Sequence, residues 1–406
     1  MLRLKKRNSL LCVIVFTGFV MLGIQYSRCE ASDNALEQRI ENIERRLEST
    51  KHTVEKTLLE SGGLGKLSFG GLIAGVYQHQ NVDDAPGFHN ADRGAVVFQP
   101  EIGFTLTDAD EIFTKFGFSA GNALNDVTVS PLIYSPWAAD LEDDVKDING
   151  RDRDYLLAAW YKHTFTFGDA NTLGITGGLV DATDYLDENA YANDEFTQFM
   201  NQALTNSANG FAPSYDIGAA VVWEFGRFEL KGVAMGVGEN DDARRYNFYG
   251  ANMGYSVNTK LGEGHYRVNV EWTSKDFNHF AGDNLASKQC VILSFDQQLG
   301  EILGTWVRFG WQDDDAHIIC KSLYSGGLNI NGKMWRREQD NIGIGCAYLE
   351  GGNQELDNAY VFETYIRFLL NEYFAVTADL QYQDNNMKLG DSPSGFISGV
   401  RCVVEF

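Results

Sequence analysis

From residue 66 to the end of the chain, apolar and polar residues alternate with a period of two. In residues 215–225, Tyr215, Ile217, Ala219, Val221, Trp223 and Phe225 form one apolar face opposite Asp216, Gly218, Ala220, Val222 and Glu224. In residues 265–274, Tyr266, Val268, Val270 and Trp272 alternate with Arg267, Asn269 and Glu271. A period of two is the signature of strands with one greasy and one polar face. The same pattern predicts strands near residues 67–77, 96–106, 112–121, 155–165, 172–181, 215–225, 228–237, 246–257, 265–274, 290–296, 304–312, 323–332, 342–350, 360–370, 374–383 and 396–406.

The connections between these strands alternate in length. Residues 78–95, 122–154, 182–214, 238–245, 275–289, 313–322, 351–359 and 384–395 form one series, mostly long. Residues 107–111, 166–171, 226–227, 258–264, 297–303, 333–341 and 371–373 form the other, mostly short. Outer-membrane barrels sort their connections in this way, with short periplasmic turns and long external loops. No run of 18 apolar residues follows the N-terminal segment, and a span without helices must be a closed barrel, because every backbone group in lipid needs a partner. The predicted fold is an all-β transmembrane barrel of about 16 antiparallel strands, embedded in outer-membrane lipid. An even strand number places both ends of the barrel on the periplasmic side.

The N-terminal residues follow other rules. Arg3, Lys5, Lys6 and Arg7 precede the apolar run from Leu10 to Ile24, and Cys29 and Ala31 supply small residues at a cleavage site, so residues 1–31 read as a secretory signal. Between Ala35 and Leu59, Leu36, Ile40, Ile43, Leu47, Thr50, Val54 and Thr57 recur at heptad spacing. Residues 32–63 are therefore expected to form a periplasmic α-helical coiled coil ending in a glycine hinge at Gly62-Gly63, with residues 64–406 as the barrel. Isoleucine at both 40 and 43 suits a trimeric seam, and a homotrimer is the expected assembly. A single amphipathic helix packed on the barrel is the other reading of this segment.

Composition narrows the function. The 406-residue chain has 33 Lys+Arg against 56 Asp+Glu, a net charge of −23, and loss of residues 1–31 leaves it more acidic still. Such a charge excludes phosphate backbones as partners, so no nucleic acid is expected. The mature chain keeps Cys290, Cys320, Cys346 and Cys402 without a CxxC, and the seven His show no metal-ligand spacing, so neither metal nor cofactor is expected. The cysteines read as buried or lipid-facing thiols, with a disulfide among them left open. No GxSxG, HExxH or P-loop is present, and no nucleophile and base can be paired, so the chain does not read as an enzyme.

The segment from Gly178 to Phe199, with Asp181, Asp184, Asp187, Asn189, Asn193, Glu195 and Gln198, followed by Ala212-Pro213-Ser214-Tyr215, resembles the carbohydrate-selective porins of the OprB family. Arg308-Phe309-Gly310-Trp311, Gly326-Gly327-Leu328, the stretch from Phe362 to Phe368, Asp379-Leu380-Gln381-Tyr382 and the final Val403-Val404-Glu405-Phe406 carry the same resemblance. It implies an outer-membrane porin passing small sugars or other polar solutes, with Phe406 read by the barrel assembly machinery. Where the family carries a longer loop with a histidine-arginine element before the 362–368 strand, this chain has only residues 350–360. A siderophore or metal-ion uptake porin, or a structural barrel tethering the envelope through the 35–59 helix, are the other readings.

In such porins the third external loop tends to fold into the lumen. Here that loop, Ala182–Ser214, holds Asp184, Asp187, Glu188, Asp194 and Glu195 and no Lys or Arg, and is the expected constriction. An acidic ring in a confined aqueous pore concentrates cations. By strand parity Arg267, Glu271, Arg308, Glu363, Arg367 and Arg401 point inward as the pore wall, with Glu405 beside them and Tyr365 as an inward aromatic for stacking on a sugar ring.

Overall fold

The structure, a computed structural model, describes residues 66–151, 155–168, 170–282 and 284–406. The expected signal, helix and trimer seam lie outside the described residues. Seventeen extended segments form one sheet, and two of them, Asp110–Phe116 and Phe118–Ala120, are a single strand broken at Gly117, which leaves 16 barrel strands. They are β1 (Leu67–Asp83), β2 (Ala91–Thr105), β3 (the broken strand), β4 (Leu156–Thr166), β5 (Asn171–Val180), β6 (Asp216–Phe225), β7 (Phe228–Val237) and β8 (Tyr246–Thr259). The second half comprises β9 (Gly262–Thr273), β10 (Gln289–Leu299), β11 (Leu303–Gln312), β12 (Cys320–Asn331), β13 (Asn341–Gly351), β14 (Leu356–Leu369), β15 (Phe374–Met387) and β16 (Ser394–Glu405).

Each strand pairs antiparallel with its neighbours, and β16 returns to β1 with Tyr77 opposite Val400 and Leu72 opposite Glu405. Closure removes the sheet edge, the only arrangement of strands that leaves no unpaired ladder in lipid. All 16 strands fall where the alternation puts them.

The faces are inverted relative to a soluble protein. On β6, Ile217 (59%), Val221 and Trp223 are exposed, whereas Asp216 and Ala220 of the inner face are buried. On β9, Tyr266, Val268, Val270 and Trp272 are all exposed, and Asn269 and Glu271 are buried. Apolar surface on the outside is stable only against acyl chains, so this wall faces lipid. The four cysteines are free, with Cys290 and Cys320 buried and Cys346 exposed.

Tyr215 departs from the expected pattern. It belongs to the apolar parity of β6, yet the strand begins only at Asp216, and Tyr215 is 6% exposed with φ of +35°. A bulky residue rarely adopts positive φ. That rotation turns its ring away from lipid and into a cluster with Leu157 and Ala158.

Two long connections enter the barrel. The second loop (residues 121–155) carries a short helix, α1 (Glu142–Lys146), and the third (residues 181–215) carries α2 (Gln202–Thr205). The third loop buries Phe199, Ala203 and Leu204 against Trp306, Leu323, Ala347, Val361 and Tyr365. The second buries Trp137, Ala139 and Leu141 against Ala74, Val76, Ala95 and Val97 of β1 and β2. Small wall residues make room for this filling. A Cβ at Gly345 would lie 2.8 Å from the Phe199 ring, and one at Gly250 would collide with Leu186. Part of the barrel is thus a packed core rather than an open channel.

Candidate functional site

The third loop is held by charged side chains of the wall. Arg308, fully buried on β11, donates from Nε to Asp187 Oδ1 at 2.8 Å and from its terminal nitrogens to the carbonyls of Ala192 (2.8 Å), Asp187 (3.2 Å) and Leu204 (3.3 Å). Arg401 on β16 donates to the carbonyls of Glu195 (2.6 Å) and Gln198 (3.0 Å). Glu363 on β14 accepts from the amides of Met200 (2.6 Å) and Asn201 (2.9 Å), and Glu271 on β9 accepts from that of Phe211 (2.8 Å). A loop inside a barrel carries backbone groups that water does not reach freely, and each needs a partner. A guanidinium with five donors, or a carboxylate with several lone pairs, satisfies more than one at a time.

This corrects part of the expected pore wall. Glu271, Arg308, Glu363 and Arg401 do point inward, but the loop covers them, so they position it rather than line water. Asp187 is likewise buried at 4% by its pair with Arg308. Tyr365 is 2% exposed beneath Phe199, ring centroids 5.2 Å apart, with its hydroxyl accepting from Asn341, and it offers no face to a solute. Asp194 caps its own turn, its carboxylate accepting from the Phe196 amide at 2.8 Å and the Thr197 hydroxyl.

Other expected residues reach the lumen. Glu188 accepts from Lys231 Nζ at 2.7 Å and lies 3.8 Å from Arg267, which also pairs with Asp296 at 2.7 Å. Arg367 pairs with Glu405 at 3.4 Å. Asp184 is exposed to the lumen and Glu195 partly so.

The structure adds partners that the sequence reading left out. Asp140 of the second loop, and Asp181, Asp184 and Glu195 of the third, all act electrostatically on the Tyr215 phenol. Lys115 of β3 opposes them, its ammonium 5.7 Å from the Tyr215 ring centroid and 3.9 Å from Glu101. Withdrawal from bulk water pushes the Asp140 carboxyl up to about 7, with Asp181 and Asp144 adding repulsion and Lys115 opposing. The same cause raises Glu195 to about 8, Asp194 and Asp140 contributing. Asp184 rises to about 7 by the same loss of water and by repulsion from Asp181, although its exposed carboxylate still touches the lumen. Burial also raises Asp181, which the Thr183 hydroxyl and amide hold back. Among the described residues no three acidic, His or Cys groups are close enough to hold a metal ion. The arrangement favours positive charge in the lumen without chelating it.

Two cavities touch the third loop. One, of about 420 Å³, is lined by Phe211 with Asp147, Glu239, Tyr246 and Lys288. The other, of about 400 Å³, is lined by Glu188, Asn193, Glu229, His265 and Arg267.

Comparison with known proteins agrees with this architecture. An uncharacterized protein of Aquifex aeolicus (strain VF5) is 30% identical over 295 residues, 71% of this chain and 82% of that one. The high-pH structure of OprB from Pseudomonas putida superposes with a TM-score of 0.69 at 14% identity, covering 87% of this chain and 96% of that one. A loop L8 deletion mutant of OmpT, an outer membrane protein of Vibrio cholerae, superposes at 0.50 with 13% identity over 83% of this chain and 98% of that one. The profile of the carbohydrate-selective porin, OprB family, matches residues 138–406. The chain belongs to the carbohydrate-selective porin (OprB) family and is an outer-membrane porin.

Proposed function

We propose that this porin passes small polar solutes, sugars among them, by diffusion through a constriction formed between the second and third loops and the β2–β9 wall. The observation that carries the reading is the loop acids, Asp184, Glu188 and Glu195, set opposite Lys115, Lys231 and Arg267 in a lumen partly filled by packed side chains. A narrow passage with both signs of charge on its walls orients dipolar, hydroxyl-rich solutes and repels apolar ones. In liposome swelling with reconstituted protein, pentoses and hexoses should enter readily and disaccharides more slowly. Conductance to ions with exclusion of every sugar would defeat the carbohydrate reading.

We further propose that the barrels assemble as trimers, with the 35–59 segment expected to add contacts between them. Its heptad stripe supports this, since so polar a helix needs partners to be stable in water. Deleting residues 33–60 is expected to lower the temperature at which trimers dissociate on gels. A monomer by light scattering in mild detergent, with the segment intact, would refute it.

A further inference from the structure

The cavity of about 420 Å³ beside Phe211 is built by four separate connections, all at the end of the barrel that carries the long loops. Phe211 comes from the third loop, Gly150 from the second, Glu239 and Asp241 from the β7–β8 connection, and Phe277 and Lys288 from the β9–β10 connection. Hydrogen bonds tie these segments together. Asn149 Nδ2 donates to the Ser214 carbonyl (2.6 Å), Asn240 Nδ2 to that of Asp276 (3.0 Å), and the Asn278 amide to the Asp242 carboxylate (2.7 Å). The cavity is therefore preformed, and its volume falls within the roughly 300–1,000 Å³ of small-molecule sites.

Its lining joins aromatic rings to groups that donate and groups that accept. Tyr246 and Phe211 are half-buried, each fixed by an edge-on ring contact, Tyr246 with Phe277 (centroids 5.0 Å apart) and Phe211 with Phe248 (6.1 Å). The Lys288 ammonium lies 4.7 Å from the Phe277 ring centroid, and no hydrogen bond or ion pair holds it among the described residues. Glu239 and Asp241 are exposed, and Glu239 reaches across to the second loop, where a Cβ on Gly150 would lie 2.6 Å from its Oε2. An ammonium brings three donors and a carboxylate only acceptors. A sugar ring needs both, because its hydroxyls donate and accept, while its C–H face is apolar and suits an aromatic ring.

We propose that this cavity is an external capture site for a neutral sugar ring. Tyr246 and Phe211 meet its apolar face, Lys288 donates to its hydroxyls, and Glu239 and Asp241 accept from them. This rests on the carbohydrate-porin reading and adds to it a binding step ahead of the constriction. Phe211 belongs to the third loop and its amide is held by Glu271 of the wall, so the captured ring rests against the segment that enters the lumen.

The test is uptake of labelled glucose and labelled sorbitol by proteoliposomes holding the full-length porin, followed over a wide range of concentrations. Sorbitol has the same carbon chain and no ring face. Glucose uptake is expected to saturate, at half-saturation about fivefold below that of sorbitol. Tyr246→Ala should erase this preference, and Lys288→Met should raise the half-saturating glucose concentration about fivefold. Tyr246→Phe and Lys288→Arg, which keep the ring and the donors, should restore the wild-type values. A misfolded barrel lowers the limiting flux instead, so a raised half-saturation reports binding.

Uptake that rises linearly with glucose in the wild type, or a half-saturation unmoved by both Tyr246→Ala and Lys288→Met, overturns the proposal. If glucose still enters in either case, the capture site alone falls and the carbohydrate reading stands. If ions pass and no sugar enters at all, the carbohydrate reading falls and the site with it.

Discussion

Replacing Arg308 by methionine should release the third loop and raise single-channel conductance by about two- to threefold. The guanidinium is fully buried and makes four hydrogen bonds to the loop, one to the Asp187 carboxylate and three to main-chain carbonyls. Removing it strands the Asp187 carboxylate without its charge partner, and leaving a buried charge uncompensated costs about 3–5 kcal/mol. The barrel ladder does not depend on that contact, since β11 stays paired with β10 and β12. The least costly response is for residues 186–192 to leave the wall and carry Asp187 into water. An unchanged conductance in a variant that still inserts would show that Arg401, Glu363, Glu271 and the apolar contacts of Phe199 and Leu204 hold the loop without Arg308.

Amides at Asp140, Asp184 and Glu195 should lower the cation-to-anion permeability ratio severalfold, read as a shift of reversal potential in a salt gradient. These carboxyls sit in a confined lumen where low-dielectric walls focus their field, and the effect should shrink as salt screens it. The wild-type ratio should itself rise with pH. A carboxyl raised to about 7 or about 8 is largely neutral below that value and charged above it, so negative charge accumulates as pH passes upward through this window. The groups acting on them are Lys115, which opposes, and Glu101, Asp144, Asp181, Glu188 and Asp194, which repel. Asp194→Asn should change little, because that carboxylate is occupied with its own turn. A reversal potential indifferent to both pH and the triple amide would place the ion path elsewhere.

The strands were legible in the sequence because lipid on one side and water or loop on the other impose strict alternation. The gaps were legible because the two ends of the barrel face different compartments. Inward parity was also correct for Arg308, Glu363 and Arg401, but parity says only which way a side chain leaves the sheet, not what waits there. Nothing in the pattern shows that the third loop arrives to cover them. Asp140 lies in residues 122–154, a gap as long as 182–214, and strand alternation carries no signal for whether one or both of two equally long loops enter the barrel. Lys115 and Lys231 could have been found, since both sit at inward positions between outward residues such as Thr114 and Leu230. Tyr215 could not, because its direction is set by one backbone rotation at +35°, which no periodicity encodes.

The anchors of the third loop also order its assembly in time. Arg308, Glu363 and Arg401 lie 121, 163 and 206 positions from the loop residues they hold, on β11, β14 and β16. Contacts at such separation form late, because the intervening chain must be ordered first. Arg401 in particular cannot meet Glu195 until the last strand is in place, the strand that also seals the barrel against β1. The loop is therefore expected to gain its last anchor only as the cylinder closes. Until that anchor forms, the lumen is expected to be wider and less selective than that of the finished porin.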